Sequence, residues 1–353
     1  MTSIAKHIRR RSVSAWSFRC QWLVLMLAMW GAENPLSAAQ VVTTNLPAPS
    51  GTRLVVSLSG GAIEVMTHEM PEIRLEAERN ARGRTPAREQ QLLLASPLKI
   101  RREGTNWVVT TMAAGQEPQL ADGERPPLGG VFKLWVPKSC GVDLSTQLGS
   151  IAVTGLSADV HAQTASGALR FSGIQGAIGA ETASGTIAMT NCVGTNSIVT
   201  RGGGIQVVGG EGDLRAESGG GTVIVRRYRG AVNAEVSAGN LQFEQVNGAI
   251  QGLTGSGRIV ADLLQPIPGA VRLEASGGGG IVVHVPREAG FELDAKTSAG
   301  FVSLGVGKGL AQSAPVSERH EIVNGGGPEM WLRTGAGSIR IMPWVEPSSA
   351  KSP

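Results

Sequence analysis

Seven glycines stand 18 residues apart: Gly149, Gly167, Gly185, Gly203, Gly221, Gly239 and Gly257. Self-similarity at a fixed short period requires a structure that also repeats in space. Laid out in blocks of 18, other columns are apolar in block after block. One reads Val142, Val160, Ile178, Asn196, Leu214, Val232, Ile250, and a second reads Ile151, Leu169, Ile187, Ile205, Val223, Leu241, Ile259. A third reads Val153, Phe171, Met189, Val207, Val225, Phe243, Ala261, and a fourth Leu156, Ile174, Cys192, Gly210, Tyr228, Val246, Leu264. No position in these four columns carries a charge.

Within a block the period is two. In 160–177, Val160, Ala162 and Thr164 alternate with His161 and Gln163, and after Ser166 and Gly167 the alternation resumes at Leu169 and Phe171. Successive side chains of a strand point to opposite sides, so this pattern predicts two short strands per block, each with one buried face. Gly167 and its equivalents fall between the strands, where a tight bend needs positive φ or no Cβ. A second column, Gly176, Gly194, Gly212, Gly230 and Gly248, marks the other corner. The predicted fold is all-β: a single-stranded, β-helix-like β-solenoid of 18-residue coils, stacked about 4.8 Å apart so that like columns form ladders. The competing architecture, a β-sandwich of evenly spaced hairpins, gives no reason for one register to persist through seven blocks.

The regular coils span 141–264, flanked by irregular coils at 40–140 and 265–345. In the first flank, 54–65 repeats the strand–glycine–strand unit with Gly61 in the glycine column, 72–78 alternates, and 97–111 reads as a hairpin turning at 103–106. Residues 79–92 are basic and polar, 113–130 read as a long surface loop, and 132–137 form a strand. This flank is expected to cap the open strand edge of the solenoid, which would otherwise invite pairing with another chain; a small independent domain is the alternative. After Leu264 an insertion, Gln265–Gly269, lengthens one coil, and the theme returns at 271–286, 291–305 and 330–343. Residues 307–327 read as a glycine-rich loop, and 346–353 as a disordered tail.

The formal charge of +4 misleads about the chain as a whole. Residues 1–39 hold five basic side chains and one acid, so the excess belongs to them and the rest is neutral. A neutral chain has no electrostatic footprint for nucleic acid or an anionic membrane. Residues 1–39 themselves read as a secretory signal peptide: a basic stretch to Arg19, an apolar run over 22–32, and small residues Ser37, Ala38 and Ala39 before Gln40. An uncleaved membrane anchor is the other reading of this segment. Beyond it, only Cys140 and Cys192 remain. At about three coils apart, roughly 14 Å, they are too distant for a disulfide.

Residues 131–153, followed by Ala-Ser-Gly at 165–167 and 183–185 and echoed over 284–304, carry a strand, a Val-Pro and then serial small-Ser-Gly coils. Over about 50–343 the chain resembles the bacterial putative-adhesin domain of unknown function, a group of exported β-solenoid proteins. The resemblance implies the solenoid fold and a location in the cell envelope, and it supplies no catalytic residues.

The residues themselves offer little chemistry. His68, His161, His284 and His320 share no column and have no partner at metal-ligand spacing. The segment 209–213 (GGEGD) is one residue short of a calcium-binding nonapeptide and occurs once, whereas calcium ladders need consecutive turns. The glycine strings 202–204, 219–221 and 277–280 precede no helix that could hold a phosphate. One outward column places Glu217 and Glu235 on adjacent coils, about 5 Å apart, the separation used by retaining glycosidases. A flat face with Arg215 nearby lacks the cleft and raised pKa that such catalysis needs. Tyr228 lies in an inward column, and Trp107, Trp135, Trp331 and Trp344 lie outside the regular coils, so no aromatic platform accompanies the acids.

The function expected from sequence is therefore a non-catalytic, exported β-solenoid that binds a protein or glycan at the cell envelope or serves as a structural spacer. It has no catalytic residue, no metal site and no cofactor. A polysaccharide-active β-helix enzyme, a lyase or glycoside hydrolase, is the alternative.

Overall fold

Alternation of apolar and polar side chains becomes strand after strand, each burying every second residue. In Val160–Ser166 and Leu169–Ser172 the buried positions are Val160, Ala162, Thr164, Leu169 and Phe171. The structure is a computed structural model that describes residues 39–82, 85–111, 128–307 and 316–344. The predicted leader (apart from Ala39), most of the predicted loop 113–130 and the predicted tail 346–353 lie outside the described residues.

The described strands form two long, open sheets of 14 strands each, parallel along most of their length. From Gly141 to Leu304 the chain lays one strand in one sheet and the next in the other. Val160 stands opposite Val142 and Ile178, and Leu169 opposite Ile151 and Ile187. Like therefore stacks on like, and one continuous apolar core runs between the sheets. Each fully buried Leu or Ile in these ladders contributes about 1.5–3 kcal/mol. The one polar member of the first column, Asn196, is buried and donates to Gly194 O (2.9 Å) and to the Tyr228 hydroxyl (3.2 Å) two coils away. In the fourth column the insertion breaks the pattern: Leu263 and Ile267, not Leu264, are buried there.

The corner glycines are required by close approach. A Cβ on Gly185 would come closer than 3.0 Å to the carbonyl oxygen of Gly167, and one on Gly203 would meet Gly185 O in the same way. Backbone conformation is secondary, because φ at Gly185 and Gly203 is not in the left-handed range. Buried hydroxyls complete the corner: Thr164, Thr182, Thr200, Ser218 and Thr254 donate to the carbonyls of Gly149, Gly167, Gly185, Gly203 and Gly239 at 2.7–3.2 Å. The second glycine column stacks likewise, with a Cβ on Gly212 meeting Gly194 O.

At both ends the stacking order departs from the chain order. The coil Arg53–Leu58 and Ala62–His68 pairs with Gly141–Leu148 and Ile151–Thr154 on one side, and with Asn106–Thr110 and Leu128–Pro137 on the other. At the opposite end, Glu329–Thr334 and Ile339–Pro343 insert between Val271–Ala275 and Ile281–Val285 and the earlier segment Phe291–Thr297 and Val302–Leu304. Strands that follow each other in sequence are thus separated by one that arrives later.

Two expectations are corrected at these ends. The predicted loop 307–327 contains the strand Glu318–Val323, antiparallel to Phe291–Thr297 at the sheet edge; its charged residues suit an edge that solvent covers on one side. The segment 79–92 holds the end of the strand Glu72–Ala81 and the start of a helix, Pro86–Ala95. Thr85 caps this helix by accepting from Arg88 N, a proline opens it, and Leu92 and Leu93 are buried beside Ala81. Arg79, also buried, donates to Ser96 O at the helix C-terminus and to Gln40 Oε1 (2.7 Å). The expected hairpin 97–111 is present as Lys99–Glu103 paired antiparallel with Asn106–Thr110. Among the described residues no helix is long and apolar enough to cross a membrane.

Candidate functional site

The acid pair singled out in the sequence is where its column places it. Glu217 stands opposite Glu235 in neighbouring strands, on an open sheet face where Glu235 is exposed and Arg215 pairs with Glu217. The histidines scatter. His68 Nε2 lies 2.7 Å from Glu72 O, His161 is exposed, and His320 sits 3.1 Å from both Asp294 and Glu318. Glu211 of the 209–213 segment pairs with Arg229 at 3.2 Å. Among the described residues no cluster of three or more His, Cys, Asp or Glu side chains could hold a metal ion. Cys140 and Cys192 are buried free thiols, and burial pushes the Cys140 pKa up to about 11.

The fourth histidine is different. His284 closes a column of strand-end residues that runs Arg226, Glu244, Asp262, His284 on four successive coils. Arg226 Nε lies 2.8 Å from Glu244 Oε2, and His284 Nδ1 lies 2.6 Å from Asp262 Oδ1. Gln242 Nε2 donates to the other Glu244 oxygen at 2.5 Å. An ionised carboxylate only accepts hydrogen bonds, so Asp262 holds the proton of His284 on Nδ1 and leaves Nε2 facing away from it.

These side chains line a cleft of about 1030 Å³ together with Arg227, Gln245, Met342, Pro343 and Trp344. Arg227 and Gln245 end a column of left-handed backbone that runs Gly155, Gly173, Asn191, Gly209, Arg227 and Gln245, with φ of 77°, 63°, 52°, 69°, 50° and 54°. Just past the strand ends, Arg227 N donates to Glu244 O (2.8 Å) and Gln245 N to Asp262 O (3.1 Å) in the next coil. Glycine fills the turn in the early coils at no steric cost. At Arg227 and Gln245 long polar side chains occupy it, and both are exposed. Such backbone costs a non-glycine residue on the order of 1 kcal/mol. Trp344 reaches the cleft just after the returning C-terminal strand: its backbone N–H donates to Val285 O (2.8 Å), and the residue stays 39% exposed.

The cleft thus presents an ion pair, a carboxylate–imidazole pair, one further guanidinium, an amide and an indole. A histidine oriented by a carboxylate has the form of a general base. Among the described residues no Ser, Thr or Cys lines the cleft to serve as a nucleophile for it.

No family model matches the chain, and no curated protein does. Two solved structures are similar to it over most of its length. One is a putative cell adhesion protein from Clostridium sporogenes ATCC 15579, at 9% identity and a TM-score of 0.28, covering 87% of this chain and 100% of that one. The other is a putative adhesin from Bacteroides fragilis NCTC 9343, at 11% identity and a TM-score of 0.30, covering 86% and 97%. At this level of similarity no residue role passes from them to this chain.

Proposed function

We propose that the chain is a non-catalytic, exported β-solenoid of 18-residue coils that acts as an adhesin-like binding protein of the bacterial cell envelope. The observation that supports this reading best is the division of labour between columns. Inward columns hold one chemistry from coil to coil, whereas strand-end positions change from Thr154 and Ser172 to Arg226, Glu244 and Asp262 along a rigid scaffold. Variable side chains on an invariant frame suit recognition, because the frame fixes their spacing at about 4.8 Å without constraining their identity. Export is supported by the leader-like segment 1–39.

Expression of the full chain in a bacterial host tests both parts. The protein is expected outside the cytoplasm with a new N-terminus near Gln40, and it should bind saturably to isolated envelope material. Retention in the cytoplasm, or no saturable binding by the folded protein, contradicts the reading.

A second reading, a polysaccharide-active enzyme, is favoured by one observation: Asp262 and His284 form an oriented acid–base pair inside the cleft, next to Glu244. Turnover of a polysaccharide separates the two.

A further inference from the structure

Within the cleft, Arg226 pairs with Glu244 and Asp262 with His284 across neighbouring coils. Arg227 lines the same cleft and makes no ion pair among the described residues. Its left-handed backbone, shared with Gln245, is one that a non-glycine residue adopts only when its surroundings hold it there. Among the described residues, Arg227 is thus a guanidinium of the lining with no carboxylate paired to it.

The rest of the lining favours hydroxyl donors. Glu244 and Asp262 keep acceptor positions beyond those used by Arg226, Gln242 and His284, and Gln245 can both donate and accept. Trp344, partly exposed in the lining, supplies an indole for an apolar surface. Acidic peptides and phosphates, rich in acceptors, would meet two carboxylates that can only accept. A sugar brings hydroxyl donors on its edge and an apolar C–H face for the indole. The column from Arg226 to His284 covers four coils, about 14 Å at the usual strand spacing, which suits a short run of sugar rings better than one.

We propose that this cleft binds a carboxylate-bearing oligosaccharide, with the acid group on Arg227, ring hydroxyls on Glu244, Asp262 and Gln245, and one ring face on Trp344. This assignment rests on the binding reading above and gives it a ligand class.

Calorimetric titration of the full chain, purified after export, tests it with oligomers of galacturonate, glucuronate and mannuronate, their methyl esters, and a poly-aspartate peptide. At least one acidic oligomer is expected to bind. Esterification and Arg227→Gln should each weaken that binding about tenfold or more, and together little more than either alone, because both remove the same contact. Trp344→Ala should weaken acid and ester alike. Both variants alter exposed side chains, and circular dichroism confirms that they fold. Failure of every acidic oligomer to bind, equal affinity for acid and ester, or equally tight binding of poly-aspartate would overturn the assignment. Loss of envelope binding by wild-type protein would instead remove the binding reading itself. Envelope binding that survives both variants would keep that reading and overturn the cleft as its site.

Discussion

The hydroxyl of Thr182 donates to the carbonyl of Gly167, 3.2 Å away in the preceding coil. The same bond recurs from Thr164, Thr200, Ser218 and Thr254, always to the glycine 15 residues earlier. In the one regular coil between Ser218 and Thr254 the position is Val236, which is buried and cannot donate. Thr182→Val should cost about 1–3 kcal/mol, since it leaves a buried carbonyl without its partner. Val236→Thr, close to isosteric, should gain up to about 1 kcal/mol by supplying the hydroxyl that Gly221 O lacks. Urea midpoints check both; a loss at Val236→Thr as large as that at Thr182→Val would contradict the ladder.

Gly185→Ala should destabilise the chain by several kcal/mol, roughly the upper range for single substitutions. The added methyl meets the backbone oxygen of Gly167, which cannot retreat without unstacking a coil. Its neighbour Ser184 is exposed, and Ser184→Ala should be nearly silent. Thermal unfolding of the two variants makes the comparison; similar melting temperatures would mean that the corners are loose.

The regular coils were legible because an 18-residue repeat writes each ladder as a column, so the buried faces around Ile187 and the corners at Gly185 follow directly from alternation. The ends were not, for a topological reason. Glu329–Thr334 pairs with Val271–Ala275 although Phe291–Thr297 comes first in the chain, and no local pattern records that exchange. The helix Pro86–Ala95 was hidden by its polarity: only Leu92 and Leu93 are buried. The cleft was half legible. Arg226, Glu244 and Asp262 stand 18 residues apart in one column, a visible run of opposite charges. His284 lies 22 beyond Asp262 because of the insertion, so its partnership was out of register. The left-handed column also left a trace, in Gly155, Gly173 and Gly209, but Arg227 and Gln245 interrupt it with residues that do not announce the conformation.

That conformation makes a prediction about Arg227. Arg227→Gly should raise stability by up to about 1 kcal/mol by relieving the left-handed backbone, even though it removes a side chain. Arg227→Ala keeps the strain and should gain nothing. The pair can be compared by chemical denaturation. Equal stability of the two variants would show that the turn holds Arg227 without strain.

Alkaline pH should destabilise the fold. Burial raises the Cys140 thiol from an ordinary value of 9.0 to about 11, and burial likewise raises Cys192 and Tyr228. The folded chain holds these protons more tightly than the unfolded chain. Their contribution is therefore complete below the unfolded values and is lost as pH climbs through the folded ones. For Cys140 this amounts to about 2–3 kcal/mol between pH 9 and 11. Cys140→Ala should flatten that part of the profile of stability against pH; an unchanged slope would mean the thiol is not protected.

The central claim is that the cleft binds and does not react. The most direct measurement is prolonged incubation of purified wild-type protein with acidic polysaccharides, followed by assay for new reducing ends and for the unsaturated ends that elimination leaves. The account predicts intact polymer, and it predicts that Asp262→Asn and His284→Gln alter affinity alone. Cleavage by wild-type protein that either substitution abolishes would contradict it and make the Asp262–His284 pair an active site.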